Sequence, residues 1–168
     1  MKCKTVFKRD VIDSNVATNL YNLLKHNIVW EDGVKSKLGF TRKAKPMYYG
    51  QMEEIDDVID IALMSLTDTQ YEVEEIYLNY YRDGSDFCPN HTHKGTHQIV
   101  ISLGETRTLK VGTKNYDMGS GSAIIFGSSS HGVVKDNSVN GRISIATFLT
   151  KRAKEGELIQ EFQNFRLG

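Results

Sequence analysis

The histidines of this chain are unevenly spread, and three of the five lie within seven residues, at His91, His93 and His97. Alternate side chains of a β-strand face the same side, so His91 and His93 project into one space if this stretch is a strand. A metal ion needs this arrangement from two ligands, and His131 is the one histidine farther along the chain that can supply a third. Imidazole binds iron, zinc, copper and nickel alike, so these ligands do not choose the metal.

An H-x-H pair is weak evidence by itself, because two histidines of a surface loop show the same spacing. We expect His97 to lie beside the site or on the surface, and His26 to lie at the exposed end of a helix. A stronger indication comes from the segments that surround the pair.

These segments form an ordered set of motifs. The chain reads NYYRDGSD from Asn79 to Asp86, followed by four residues and then His91-Thr92-His93. Downstream come ISLGETRTLKV, GSAIIFGSSSHGVVKD and NGRISIATF, and upstream stands FTRKAKPMYYG. The set resembles the AlkB-like branch of the Fe(II)/2-oxoglutarate dioxygenases, whose pattern begins N-x-Y-x-D-G-x-D, four residues, H-x-D. The resemblance covers residues 40–148.

The resemblance implies a double-stranded β-helix (jelly roll) that binds Fe(II) and 2-oxoglutarate at one open end, and consumes O2. It assigns the metal to His91, His93 and His131, and the 2-oxoglutarate to Asn79, Tyr81, Arg142 and Ser144. Residues two apart on a strand share a face, as Asn79 and Tyr81 do, and a guanidinium fork such as that of Arg142 suits a carboxylate.

Two positions depart from the family pattern. His93 occupies the position of the family's metal-binding carboxylate, and Phe148 occupies that of its second arginine. Three neutral imidazoles do not offset the charge of the metal. Three possibilities stay open: a working three-histidine iron site, a preference for another metal such as zinc or nickel, or an altered and weakly active member.

By resemblance, the leading functional prediction is an oxygenase that hydroxylates or demethylates a nucleic-acid base. Basic side chains such as Arg42 and Lys43 can contact phosphates, and Tyr48 and Tyr49 can stack on a flipped or single-stranded base. A solvated loop explains the same stretch equally well. The net charge of zero argues against a strongly basic nucleic-acid protein.

Other functions stay open at this stage. The fold hosts oxygenases that act on protein side chains and on small molecules, so fold cannot decide. The glycine and histidine spacing around His91 is also close to the first motif of a cupin, in which three-histidine iron sites occur without 2-oxoglutarate. A non-catalytic binding module on an oxygenase scaffold is the remaining alternative.

The sequence pattern predicts which helices and strands must position these residues, and it indicates an α+β chain that is mainly β. Apolar residues at helical spacing predict a helix from Ser14 to about His26, capped by Asp13, and a second from about Glu53 to Leu66. Short β-branched strands separated by glycine turns follow from Tyr71 onward. We predict one jelly-roll domain over residues 1–168, with both helices packed on one face and a short helix ending the tail.

Composition adds further expectations. The two cysteines, Cys3 and Cys88, do not make a disulfide framework, which favours a reducing compartment. The N-terminus lacks the apolar run of a signal peptide, and no segment is apolar enough to span a membrane. We therefore expect a cytoplasmic protein without a membrane partner. Nothing in the sequence indicates the oligomeric state.

Overall fold

Two helices precede most of the strands. The computed structural model describes residues 4–37 and 39–152, and within them α1 spans Ser14–Asn27 and α2 spans Glu53–Leu66. As predicted, Asp13 caps α1, and its carboxylate accepts a 2.9 Å hydrogen bond from the backbone N–H of Asn15. The apolar stripe of α2, which includes Ile55 and Ile59, is buried.

The strands form two main sheets in which neighbours pair antiparallel. In chain order the strands are β1 (Val6–Lys8), β2 (Glu31–Asp32), β3 (Lys35–Ser36), β4 (Gly39–Phe40), β5 (Lys43–Met47), β6 (Tyr71–Tyr81), β7 (Cys88–His91), β8 (His97–Gly104), β9 (Arg107–Val111), β10 (Lys114–Met118), β11 (Ala123–Phe126), β12 (His131–Val133) and β13 (Arg142–Lys151). The major sheet has the order β1-β11-β8-β13-β6-β5-β2, and the minor sheet has the order β10-β9-β12-β7. Strands β3 and β4 pair only with each other.

The core has two parts, one on each face of the major sheet. On one face, Ile143 and Ile145 of β13 belong to the apolar cluster that contains Leu20 and Leu24 of α1. On the other face, residues of both sheets form a second cluster, with Val100 from the major sheet and Leu109 and Val133 from the minor sheet among them. This arrangement confirms the predicted jelly roll with two helices on one face.

Alternation along β13 sends its side chains to two different environments. Ile143 and Ile145 point to the helix side, whereas Arg142 and Ser144 line the space between the sheets. Because the strand is central and covered on both faces, even these polar side chains are buried. Polar residues in such a position must find partners within the protein or in a ligand.

Three strands of the minor sheet are short or exposed and lack a clear strand pattern in the sequence. Strand β7 contains Pro89 and Asn90, β10 is the mostly exposed KNYDM, and β12 has three residues. None of them shows the alternation of apolar and polar residues that predicts a strand. Each forms through pairing with neighbours in the minor sheet rather than through its own composition.

The structure corrects the expectation that the H-x-H pair lies on one strand, and other predictions fall outside the described residues. Only His91 of the H-x-H pair lies on a strand, because β7 ends there and His93 falls in the loop that follows. The short helix predicted at the end of the tail, and Cys3, lie outside the described residues. Among the described residues, no helix is long and apolar enough to cross a membrane.

Candidate active site

Three imidazoles meet at one edge of the minor sheet. His91 ends β7 and pairs in register with His131, the first residue of β12, and their ring centroids are 4.2 Å apart. The ring of His93 lies 4.8 Å from that of His91 and 5.5 Å from that of His131. One nitrogen from each ring lies within 4.8 Å of the others, which suits the ligands of a single metal ion.

Backbone carbonyls orient two of the three rings. Nδ1 of His91 lies 2.8 Å from the carbonyl oxygen of Pro89, and Nδ1 of His131 lies 3.0 Å from that of Ser129. A carbonyl oxygen only accepts hydrogen bonds, so Nδ1 carries the proton in both rings. In the neutral form of each ring, Nε2 is then the unprotonated nitrogen, which can bind a metal.

Burial keeps two of the imidazoles neutral. It lowers the pKa of His131 to about 4, and it also lowers the pKa of His93. The pKa of His91 is raised, chiefly because its ring contacts the Cys88 thiol, with Sγ 3.7 Å from Nδ1. His93 and His131 are therefore available as neutral ligands at pH 7.

No carboxylate joins this cluster among the described residues. The nearby Asp86 is buried, but its two oxygens accept hydrogen bonds from Arg82 at 2.8 and 2.9 Å. A divalent metal bound here would keep its full charge, since imidazoles are neutral ligands. Any compensating negative charge must come from a bound ligand.

The cluster opens into a cavity of about 1040 Å³ between the two sheets. Residues of β13 line it in the order Arg142, Ser144, Ala146 and Phe148. The Phe148 ring lies 4.8 Å from that of His93, so the cavity runs along β13 from Arg142 to the three clustered imidazoles. Farther along lie residues of the rim, which include Glu74, Glu75, Tyr77 and Thr150.

Arg142 is a buried cation with unused donors. It is 1% exposed, and its Nε donates a 2.8 Å hydrogen bond to Oγ of Ser102. Nη1 and Nη2 have no hydrogen-bond partner among the described residues. The guanidinium lies over the Tyr81 ring, 5.2 Å from its centroid. Two free, parallel donors in a closed pocket suit the two oxygens of a carboxylate.

Three further side chains of the cavity contact one another. Asn79 pairs with Ser144 between β6 and β13, and its Nδ2 lies 3.4 Å from Oγ of Ser144. Arg42 donates from Nε to Oδ1 of Asn79 at 2.9 Å and from Nη1 to Oγ1 of Thr41 at 2.9 Å. The structure thus brings Asn79, Ser144 and Arg42 into the same cavity as Arg142.

The other predicted substrate residues lie elsewhere. Lys43 forms an ion pair with Asp32, and its neighbour Lys45 forms one with Glu31. Tyr48 is 78% exposed, and the hydroxyl of Tyr49 donates to the carboxylate of Asp60. Lys43, Tyr48 and Tyr49 do not line the cavity.

His97 and Arg107 complete the surroundings. The ring of His97 packs edge-on against Tyr71, 5.5 Å away, rather than against the three clustered imidazoles. Arg107, which the sequence analysis did not single out, donates to the backbone carbonyls of Asp83, Asp86 and Val134. It lies over the Tyr81 ring, and its contacts are with the protein itself. No motif distinguishes such an arginine from a surface one.

Solved structures with a similar fold include 2-oxoglutarate-dependent enzymes. The epimerase SnoN of nogalamycin biosynthesis, which is non-heme and α-ketoglutarate-dependent, aligns with a TM-score of 0.66 over 88% of this chain and 77% of its own, at 10% identity. HygX from Streptomyces hygroscopicus, solved with nickel and 2-oxoglutarate bound, aligns with a TM-score of 0.63 over 88% and 82% of the two chains, at 9% identity. OsALKBH1 aligns with a TM-score of 0.60 over 88% and 98%, at 12% identity.

The fold is that of the 2-oxoglutarate-dependent oxygenases. No protein-family model matches the sequence, and no curated protein matches it. At these identities the similarity establishes the fold alone, so the function has to be inferred from the side chains of the site.

Proposed function

We propose that this protein is an Fe(II)- and 2-oxoglutarate-dependent oxygenase whose metal is held by His91, His93 and His131. One observation carries the proposal: a buried guanidinium with two unpartnered donors, that of Arg142, shares a cavity with three converging imidazoles. A dicarboxylate that reaches from Arg142 to the metal satisfies both requirements. The cupin-like alternative does not explain why two donors of a buried arginine lack a partner among the described residues.

The residues present fit both cofactors. Two of the three imidazoles have their proton fixed on Nδ1 by carbonyls, which leaves Nε2 to bind the metal. When bound, iron and 2-oxoglutarate supply the oxidation, in which O2, 2-oxoglutarate and a C–H bond yield succinate, CO2 and a C–OH group.

The chain's own side chains hold the cosubstrate in place. Arg142 takes its far carboxylate with Nη1 and Nη2, and the hydrogen bond from Nε to Ser102 fixes the guanidinium. Burial raises the pKa of Tyr81 to about 12, so the phenol stays protonated and can donate a hydrogen bond. Asn79 and Ser144 offer polar groups beside it. Apolar residues such as Val100 exclude water from the rest of the cavity.

For the substrate, we propose a nucleic-acid base as the first candidate, in keeping with the AlkB-like motifs. The aromatic rings of Tyr77 and Phe148 lie 5.9 Å apart at the rim and offer a surface on which a base can stack. Removal of an N-methyl group from such a base starts with hydroxylation of that methyl group.

A small molecule without a phosphate chain is the second candidate. The carboxylates of Asp32 and Glu31 pair with Lys43 and Lys45, the basic residues that would otherwise contact phosphates. Glu74 and Glu75 also line the cavity. An acidic rim disfavours a polyanion by charge repulsion.

The test is succinate production by iron-loaded protein under air. The reactions contain 2-oxoglutarate alone, with a methylated single-stranded oligonucleotide, or with the matching methylated nucleoside. Stimulation by the oligonucleotide supports the first candidate, and stimulation by the nucleoside alone supports the second. Absence of succinate under all three conditions, with iron bound, contradicts the oxygenase proposal.

Two variants sharpen this experiment. Arg142→Met removes the donors to the far carboxylate, so it should bind metal normally but produce little succinate. His93→Asp restores a negative ligand, and we expect it to retain Fe(II) more tightly through dialysis than the wild type does. Measured metal content separates loss of metal from loss of cosubstrate.

A further inference from the structure

Gln98 is a second buried side chain of the cavity with an unused donor. It is 2% exposed, and Nε2 of its amide has no hydrogen-bond partner among the described residues. Gln98 lies on β8 in alternation with Val100, and both side chains line the cavity between the sheets. An amide donor that is buried without a partner is costly to the folded protein, which points to a ligand that accepts from it.

The sheet register places Gln98 at the level of the metal ligands. It pairs with Phe126 of β11 on one side and with Phe148 of β13 on the other. The Phe126 ring lies 4.9 Å from that of His131, and the Phe148 ring lies 4.8 Å from that of His93. Gln98 therefore lies between two residues that each contact a different proposed ligand.

Arg142 lies at the other end of the same pair of strands. It pairs with Gly104, six residues along β8 from Gln98. The two unsatisfied donor groups of the cavity are thus separated along its length, one at the closed end and one beside the imidazoles. A dicarboxylate has two anionic ends to match them.

We propose that Gln98 is a further cosubstrate-binding residue, which donates from Nε2 to the carboxylate of the 2-oxo acid that lies beside the metal. The proposal rests on the proposed function. Arg142 takes the far carboxylate, so the two side chains hold opposite ends of one molecule. Three neutral imidazoles leave the full charge of the metal to attract the anionic acid, and the donor on Gln98 orients the carboxylate that lies there.

Two ligands and two variants distinguish the roles of Gln98 and Arg142 at the two carboxylates of 2-oxoglutarate. The 2-oxo acid 2-oxopentanoate keeps the metal-side end of 2-oxoglutarate but has a methyl group in place of the far carboxylate. Calorimetric titration of nickel-loaded protein, which avoids turnover, gives the affinity for each ligand. Gln98→Met removes the donor at similar length, and Arg142→Met removes the other one. Gln70→Leu, at an exposed glutamine outside the cavity, is the matched control.

We expect Gln98→Met to weaken both ligands by the same factor, about tenfold, as for a lost hydrogen bond to a charged group. Arg142→Met should weaken 2-oxoglutarate and leave 2-oxopentanoate unchanged. Nickel content should match the wild type in both variants. The metal-free Gln98→Met protein should unfold at a temperature no lower than the wild type, because the amide has no protein partner to lose.

Unchanged affinity of nickel-loaded Gln98→Met for 2-oxopentanoate overturns the assignment. A lowered unfolding temperature of the metal-free variant also overturns it, because the amide would then have a structural partner. A different result would contradict the proposed function itself: wild-type protein that binds nickel but neither 2-oxo acid. Gln98→Leu serves as the second variant if the methionine does not fold.

Discussion

Arg42 donates a 2.9 Å hydrogen bond from Nε to Oδ1 of Asn79, across 37 residues of sequence. The contact joins Arg42, which directly precedes β5, with β6, the strand that carries Asn79 and Tyr81 into the cavity. Arg42 therefore orients a proposed cosubstrate-binding residue, in addition to bringing positive charge to the cavity. A partly buried amide that is held at one end presents its other end, Nδ2, in a defined direction.

This contact predicts that Arg42→Met lowers the affinity for 2-oxoglutarate. The variant frees the Asn79 amide to rotate and removes a cation from the cavity. We therefore expect the dissociation constant for 2-oxoglutarate to increase several-fold to tenfold. Titration of nickel-loaded protein measures it. Arg9→Met, at an exposed position that does not line this cavity, is the control. Equal affinity of Arg42→Met and wild type would show that Asn79 is oriented without Arg42.

The two arginines that flank Tyr81 should respond to substitution in opposite ways. Arg107→Met removes hydrogen bonds to three backbone carbonyls, so we expect a loss of about 3 kcal/mol in the free energy of unfolding. Arg142→Met removes a buried cation whose Nη atoms lack partners, so the metal-free protein should be equally or more stable. Urea unfolding without metal or 2-oxoglutarate measures both. Similar losses in both variants would contradict a ligand-binding role for Arg142.

Gly132 lies beside a proposed metal ligand in a crowded position. A Cβ there would lie 2.5 Å from Oδ1 of Asn90 and 2.8 Å from the carbonyl oxygen of Cys88. Gly132→Ala should push β12 away from β7, and so separate His131 from His91. We expect a loss of about 1–3 kcal/mol in unfolding free energy, together with weaker metal retention.

Metal content after dialysis and thermal unfolding test this prediction. Gly119→Ala is the matched control, since the added Cβ would meet only Oγ1 of Thr106, at 3.2 Å. If Gly132→Ala retained both metal and stability, the spacing between β12 and β7 would not govern the site.

The burial of His131 predicts a pH dependence in the metal-free protein. Its pKa is lowered to about 4, against about 6.5 for an exposed imidazole. Between these values the unfolded chain binds a proton that the folded chain does not, so stability falls as the pH is lowered from about 6.5 to about 4. The lowered pKa of His93 acts in the same direction, and the raised pKa of His91 acts against it.

Comparison with His131→Leu isolates the contribution of His131. Leucine does not titrate, so the stability of the variant relative to the wild type should rise as the pH falls through this range. Urea unfolding at several pH values, in the presence of a chelator, measures the difference. A difference that stayed constant between pH 6.5 and 4 would contradict the prediction.

Local patterns in the sequence were sufficient to predict both helices, the mainly β fold and its longer strands. Helix α2 has the boundaries that its apolar periodicity predicts, and strand β6 begins at Tyr71, where β-branched and aromatic residues predict the first strand. The motif order also singled out His91, His131 and Arg142, which the structure brings to one cavity. Such features are readable because a helix face or a strand alternation repeats within a few residues.

Tertiary pairing alone decided the remaining features of the site. Strands β7, β10 and β12 of the minor sheet lack a local pattern, and His93 reaches its neighbours from the loop after β7 rather than from a strand. Arg42 enters the cavity while the adjacent Lys43 is held by Asp32, although both belong to one basic stretch. The missing partner of Gln98 is likewise a property of the packed sheets. Whether a polar side chain is satisfied depends on segments distant in sequence, and only the folded chain brings these together.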